Sequence, residues 1–168
     1  MQHHFDESFG YLGAPVEFSI ANTDGGVYWG KYAKKTINGG LETIDHLMQD
    51  GFILGRAAID NQDYKTRDEA IGTIRTQWEM IPVAAALHYL NASIDNIADD
   101  ALRNHALSEA IAFISALKYN AEASISATEV DAIIASLGTN LYEVTPEVIN
   151  ETRTSLAAAF GITNTADY

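Results

Sequence analysis

The feature that most constrains this chain is the pattern across residues 67–97. Ile71, Ile74, Trp78, Ile81 and Ala85 recur there at the three- and four-residue spacings that line up on one face of an α-helix, and Leu87 and Leu90 continue its inner side. No strand of ordinary length accounts for so long a periodic run. Thr66, with Glu69 three residues on, supplies a capping-box start. Pro82 lies inside the run and has no N–H to give the carbonyl of Trp78, so a kink is expected at that point. A long helix with an apolar face needs other apolar faces to pack against, and the rest of the chain offers them.

Residues 28–36 read as a short helix, and residues 41–60 as a longer one carrying Leu41, Ile44, Leu47, Met48 and Phe52 on one side. Gly51 and Gly55 weaken that helix by about 1 kcal/mol each relative to Ala unless they allow a close helix contact. Asp99 or Asp100 caps a helix that runs to about Tyr119. Ser126, boxed with Glu129, opens another that stops at Gly138, and Thr145-Pro146 opens the last, which stops at Gly161. Between 10 and 26 the glycines, Pro15, Asn22 and the turn residues Thr23-Asp24-Gly25 mark a loop. Only residues 16–20 alternate like a strand, and weakly. The expected fold is all-α: a helical bundle with short connections and one long Gly/Pro-containing loop near the N-terminus, residues 1–168 forming a single helical domain.

Ten Lys and Arg stand against 23 Asp and Glu, a net charge of −13. Such a chain repels polyphosphate backbones and anionic bilayers, which argues against nucleic-acid binding and electrostatic membrane association. No cysteine is present, which removes disulfides, thiolate catalysis and cysteine metal sites. The longest apolar run, 81–87, falls far short of the ~20 residues of a membrane helix, and no signal peptide is recognisable at the start. The opening residues His3-His4-Phe5-Asp6-Glu7-Ser8-Phe9 are instead dense in aromatic and metal-capable groups. They read as the last turns of a helix begun upstream, so the chain is expected to be the C-terminal part of a longer protein.

Chemistry here must come from histidines and carboxylates, several of which pair at helical spacing. His3 and His4 stand four and three residues before Glu7, Glu42 four before His46, and His105 four before Glu109. Four residues turn about 40° around a helix, so each pair shares a face and could share an ion or a proton. His-x-x-Glu reverses the Glu-x-x-His pair of carboxylate-bridged metal sites, and imidazole with carboxylate suits iron or zinc. Against this, a solvated ion pair explains Glu42, Asp45 and His46, since Thr43, Gln49 and Asp50 surround them. Structural hydrogen bonding explains His88 in its apolar segment, and Arg75 is the natural intrahelical partner of Glu79. For His105, among Leu102, Ala106 and Ile111, a core histidine bonded to Glu109 and a functional role both stand. The His3, His4, Asp6 and Glu7 cluster is either a ligand set or a buried polar network, because Phe5, Phe9, Tyr11 and Leu12 imply partial burial.

Blocks of the sequence resemble a known family. His4-Phe-Asp-Glu-Ser-Phe-Gly-Tyr11 is similar to its His-Trp-Asp-Glu-Ala-Phe-Gly-Tyr hallmark. Tyr28-Trp-Gly-Lys-Tyr32, the block from Gly55 to Tyr64, Arg75-Thr-Gln-Trp-Glu79, His88-Tyr-Leu-Asn91, Asn104-His-Ala-Leu-Ser-Glu-Ala110 and Asn140-Leu-Tyr-Glu-Val144 follow in family order. The family is that of bacterial envelope lipoproteins grouped as domain of unknown function 4856, which resembles imelysin-type proteins distantly. The resemblance implies a longer parent chain, a periplasmic or outer-membrane-surface location and an association with iron uptake. His4-x-x-Glu7 matches part of the imelysin Gly-x-His-x-x-Glu motif, although Gln2 stands at the glycine position.

Three functional readings follow. In the first, His4, Asp6, Glu7, His105 and Glu109 converge to bind a divalent metal, iron or zinc, or an iron-containing small molecule, in company with envelope protein partners. In the second, Glu7 or Glu109 acts as general base on a metal-bound water in a peptidase-like hydrolase. In the third, the chain is a non-catalytic helical interaction module whose His–acid pairs are internal hydrogen bonds.

Overall fold

The computed structural model describes residues 1–168. The chain is an all-α helical bundle, as the periodicity predicts, and its only β feature is one bridge between Ser19 and Asn22. Contacts divide it into two compact units, Met1–Ile81 and Pro82–Tyr168. No helix is long and apolar enough to cross a membrane.

The first unit begins with α1 (Gln2–Leu12), so helix continues past Gly10, where the loop was expected to start. Gly13, at φ 72°, ends it in the left-handed conformation that glycine adopts without a Cβ clash. A Cβ at Gly13 would in any case lie 2.5 Å from the carbonyl oxygen of Val27, whose own N–H donates to the Gly13 carbonyl at 2.7 Å. That bond closes the irregular segment 14–27, which is pinned inside by buried Phe18 and by the Ile20 N–H donating to Asp45 Oδ1 at 2.8 Å. The short helix expected over 28–36 is two pieces, α2 (Tyr28–Ala33) and α3 (Lys35–Asn38).

The helix expected over 41–60 has three parts. These are α4 (Thr43–Asp45), an eight-residue π-helical segment (His46–Ile53) and α5 (Leu54–Asp60). A π turn bonds i to i+5 and so holds about one residue more than an α turn. Ile44, Leu47, Met48 and Phe52 are all buried through this winding. Both glycines stand at close contacts: a Cβ on Gly51 would lie 2.7 Å from Ile74 Cγ1, and one on Gly55 2.6 Å from Phe5 Cζ. Around them the rings of Phe5, Phe9 and Trp78 meet Phe52 edge-on at centroid distances of 5.9, 5.2 and 6.3 Å, and Trp29 meets Trp78 at 6.3 Å.

The long helix α6 (Tyr64–Asp95) is continuous through Pro82, where the two units divide. Its cap is Asp63 rather than Thr66. The Asp63 carboxylate accepts the Thr66 N–H at 3.1 Å and the Thr66 hydroxyl at 2.7 Å, so the charged acceptor takes the orphan donor and the helix starts earlier than expected.

In the second unit, α7 (Asp100–Ala116) is capped by Asp99, which accepts from the N–H groups of Ala101 and Leu102. α8 (Ala127–Ala135) has the expected Ser126–Glu129 capping box, and α9 (Pro146–Ala159) the expected Thr145 cap with proline in its first turn. α8 packs on both α7 and α9, and the Ser136 and Thr152 hydroxyls share a hydrogen bond of 2.7 Å. Buried Arg103 ties this unit together, donating to the carbonyls of Ile97 at 2.7 Å and Tyr142 at 3.3 Å while pairing with Asp100 at 2.7 Å.

Candidate functional site

In α1 the apolar side, Phe5 and Leu12 with half-buried Phe9, faces the core of the first unit. The polar side therefore faces water. His3 Nε2 lies 3.3 Å from one oxygen of Glu7 and His4 Nδ1 3.1 Å from the other, with both imidazoles about four-fifths exposed. The partial burial expected of this cluster is absent, because the neighbouring aromatics point to the opposite face. Asp6 turns away from the histidines and accepts from Arg56 Nε of α5 at 2.8 Å.

His105 and Glu109 lie on α7, in the second unit. The buried side of α7 runs through Arg103, Ala106, Leu107, Ala110, Phe113 and Ile114. His105 is on the other side, exposed, with half-buried Glu109 one turn on and no hydrogen bond or ion pair joining them. Leu102, which suggested an apolar setting for His105, is itself 51% exposed. His88 is half-buried, its ring edge-on to Tyr89 at 5.3 Å. The five residues expected to bind metal thus divide into His4, Asp6 and Glu7 on one unit and His105 and Glu109 on the other. No group of three or more His, Asp or Glu side chains is arranged to hold a metal ion.

His46, the first residue of the π segment, stands between two carboxylates. Its Nδ1 is 2.7 Å from Asp50 and its Nε2 3.7 Å from Glu42. The hydrogen bond to Asp50 comes first among the causes that raise its pKa above the ordinary histidine value. This is the solvated pairing expected for Glu42 and His46, extended by Asp50.

What the structure does assemble is a cleft of about 460 Å³ between α1, the π segment and α5. Phe5, Phe9, Met48 and Phe52 line it, Val16 and Ile53 form exposed apolar lips, and Ala57 lies along one wall. Its volume falls in the range of small-ligand sites, about 300–1,000 Å³. The one polar edge is an ion triad. Arg56 bonds Asp6 through Nε and Asp60 through a terminal nitrogen, and Gln2 Nε2 donates to Asp60 at 2.5 Å. These bonds, Asp60 to Arg56 foremost, hold the Asp60 carboxyl below its ordinary pKa and raise that of Arg56.

Reading the sequence missed this edge. Arg56 and Asp60 are an ordinary i, i+4 pair, and nothing local signals that Asp6, fifty residues earlier, closes the triad. The π winding that brings Met48, Phe52 and Ile53 to the cleft likewise has no sequence rule comparable to a capping box.

Searches of curated proteins and of solved structures each returned no match. The family model described as Domain of unknown function (DUF4856) matches residues 1–163, and the chain belongs to that family.

Proposed function

We propose that this chain is a non-catalytic helical binding module of the bacterial envelope, and that the cleft of the first unit receives an apolar group from its partner. The observation that supports this reading is the cleft itself. Seven apolar side chains surround about 460 Å³ of open space, and two of them, Val16 and Ile53, are left substantially in water. Filling it would remove that apolar surface from solvent at roughly 25 cal/mol per Å². The His–acid pairs have a sufficient role as exposed intrahelical pairs, each worth a few tenths of a kcal/mol. The envelope location rests on the family resemblance and is tested separately, by fractionation of cells expressing the parent gene.

The test uses the neutral fluorescent probe N-phenyl-1-naphthylamine. Saturable fluorescence enhancement is expected with the wild-type chain. Ala57→Trp, which fills the cleft from an exposed position, is expected to lose it while keeping the helical circular-dichroism spectrum and the melting temperature. An absence of saturable binding, or binding unchanged in the folded variant, rejects the reading.

A second reading retains the metal. His3 and His4 address the two oxygens of one carboxylate from consecutive positions, a pair of imidazoles that an iron or zinc ion could recruit. Calorimetric titration with iron(II) and zinc checks it: binding unchanged in both His4→Ala and His105→Ala removes the metal role of these residues. A hydrolase would need the same metal for its nucleophilic water, so it falls with that result.

A further inference from the structure

We infer that the occupant of the cleft is a basic, amphipathic peptide segment, an inference that rests on the binding reading above and names its partner by chemistry. The rim is what selects. Arg56 is the one cationic side chain lining the cleft, and it is already shared between two carboxylates, Asp6 and Asp60. The triad carries a net charge of −1. Both carboxylates are more than half exposed, so each keeps oxygen lone pairs open to a further donor.

Three classes of occupant can be compared on that geometry. An anionic amphiphile, such as a fatty acid or a phospholipid, would have to take Arg56 from one of its carboxylates and then lie beside both. A neutral apolar molecule enters the floor but gains nothing from the rim. A Lys or Arg head placed over the rim meets two carboxylates and one guanidinium already turned toward them, so attraction outweighs repulsion. The net charge of −13 on the whole chain adds long-range steering of the same sign.

A peptide fits better than a small cation because the apolar surface continues past the cavity. Val16 is 69% and Ile53 42% exposed at its margin, so a small ligand inside covers only the part of each that lines the cavity. The floor joins Met48 to three phenylalanines, a polarizable and adaptable surface of the kind that receives the apolar anchors of a helix laid in a groove. The cleft on the other side of α1 differs in this respect. Arg67 and Arg75 line it together with Asp68 and His4, so its edge has no excess of carboxylates.

The experiment is displacement of N-phenyl-1-naphthylamine from the full chain by two helical peptides. They share one Leu/Phe face and carry Lys in one case, Glu in the other, at every polar position. The Lys peptide is expected to displace the probe at a concentration at least about tenfold lower at low ionic strength, with the gap narrowing as salt shortens the screening length. Asp6→Asn with Asp60→Asn, which leaves Arg56 without its carboxylates, is expected to abolish or reverse the preference. Probe binding with equal displacement by both peptides, or with the Glu peptide ahead, overturns the inference and leaves the binding reading standing. A Lys-peptide preference that survives the double substitution, or direct Lys-peptide binding that survives Ala57→Trp, shows attraction to the acidic surface at large and overturns it too. Failure of the probe itself to bind overturns the reading on which the inference stands.

Discussion

Gly55→Ala puts the packing of the first unit to a sharp test, because two opposing effects can be weighed. In the folded state the new methyl would stand 2.6 Å from Phe5 Cζ and 3.1 Å from Ala70 Cβ. Phe5 cannot swing aside freely: it is buried, and its ring meets Phe52 edge-on at 5.9 Å. Overpacking of this kind costs about 1–3 kcal/mol. Against it, replacing glycine by alanine in a helix gains about 0.4–1 kcal/mol through the unfolded chain. The net expectation is a loss of roughly 1–2 kcal/mol, which for a unit of this size lowers the melting temperature by about 4–8 °C per kcal/mol. Gly72→Ala in α6 is the internal control, since a Cβ there meets nothing within 4 Å. It should stabilise by about 0.4–1 kcal/mol. Urea and thermal unfolding of both variants supply the comparison. If Gly55→Ala proves as stable as Gly72→Ala, α1 and α5 do not approach at this glycine and the floor of the cleft is wrongly drawn.

Other expectations are checked more briefly. His46 binds its proton more tightly in the folded state, so its contribution is complete below about pH 6.5 and fades as pH rises through the folded-state pKa. NMR titration should give a midpoint above that value, and His46→Asn should flatten this part of the stability profile. Ser126→Ala breaks the capping box and should cost about 1 kcal/mol, with faster amide exchange in the first turn of α8 as the local signature. Arg103→Met leaves the carbonyls of Ile97 and Tyr142 without their charged donor and should cost roughly 2–3 kcal/mol in denaturant unfolding. Deleting exposed Gln49 should let the π segment rewind as α-helix and keep most of the melting temperature. Deleting exposed Thr76 from regular α6 turns everything after it by about 100° and should abolish the native melt.

The parts of this molecule that could be read from sequence are those whose cause is local. Ser126 with Glu129, Asp99 before α7 and Thr145-Pro146 before α9 each carry their own acceptor or ring geometry, and each sits where expected. The Thr66 cap failed for an equally local reason: Asp63 offers a charged acceptor three residues earlier and takes the N–H of Thr66 itself, so the helix has begun before Thr66 could cap it. All-α architecture was legible because apolar residues repeating at helical spacing from Ile71 to Ala85 form a face that only a helix buries.

The site was illegible because its cause is not local. Whether a histidine beside apolar residues is buried depends on which of two helix faces meets the core, and on α7 the set from Arg103 to Ile114 takes the inside and turns His105 out. Composition around His105 could not separate those cases, since Leu102 lies on the exposed face too. The same logic explains why the densest group of ligand-type side chains, His3, His4 and Glu7, stands in water. Phe5, Phe9 and Leu12 turn inward because they are apolar, and helical geometry then places His3, His4 and Glu7 on the opposite side. A polar edge for an apolar cleft instead needs two segments fifty residues apart to present complementary charges at one place, as Asp6 and Arg56 do. Periodicity finds faces; only packing decides which faces become neighbours, and in this chain the chemistry worth testing lies where two such faces part.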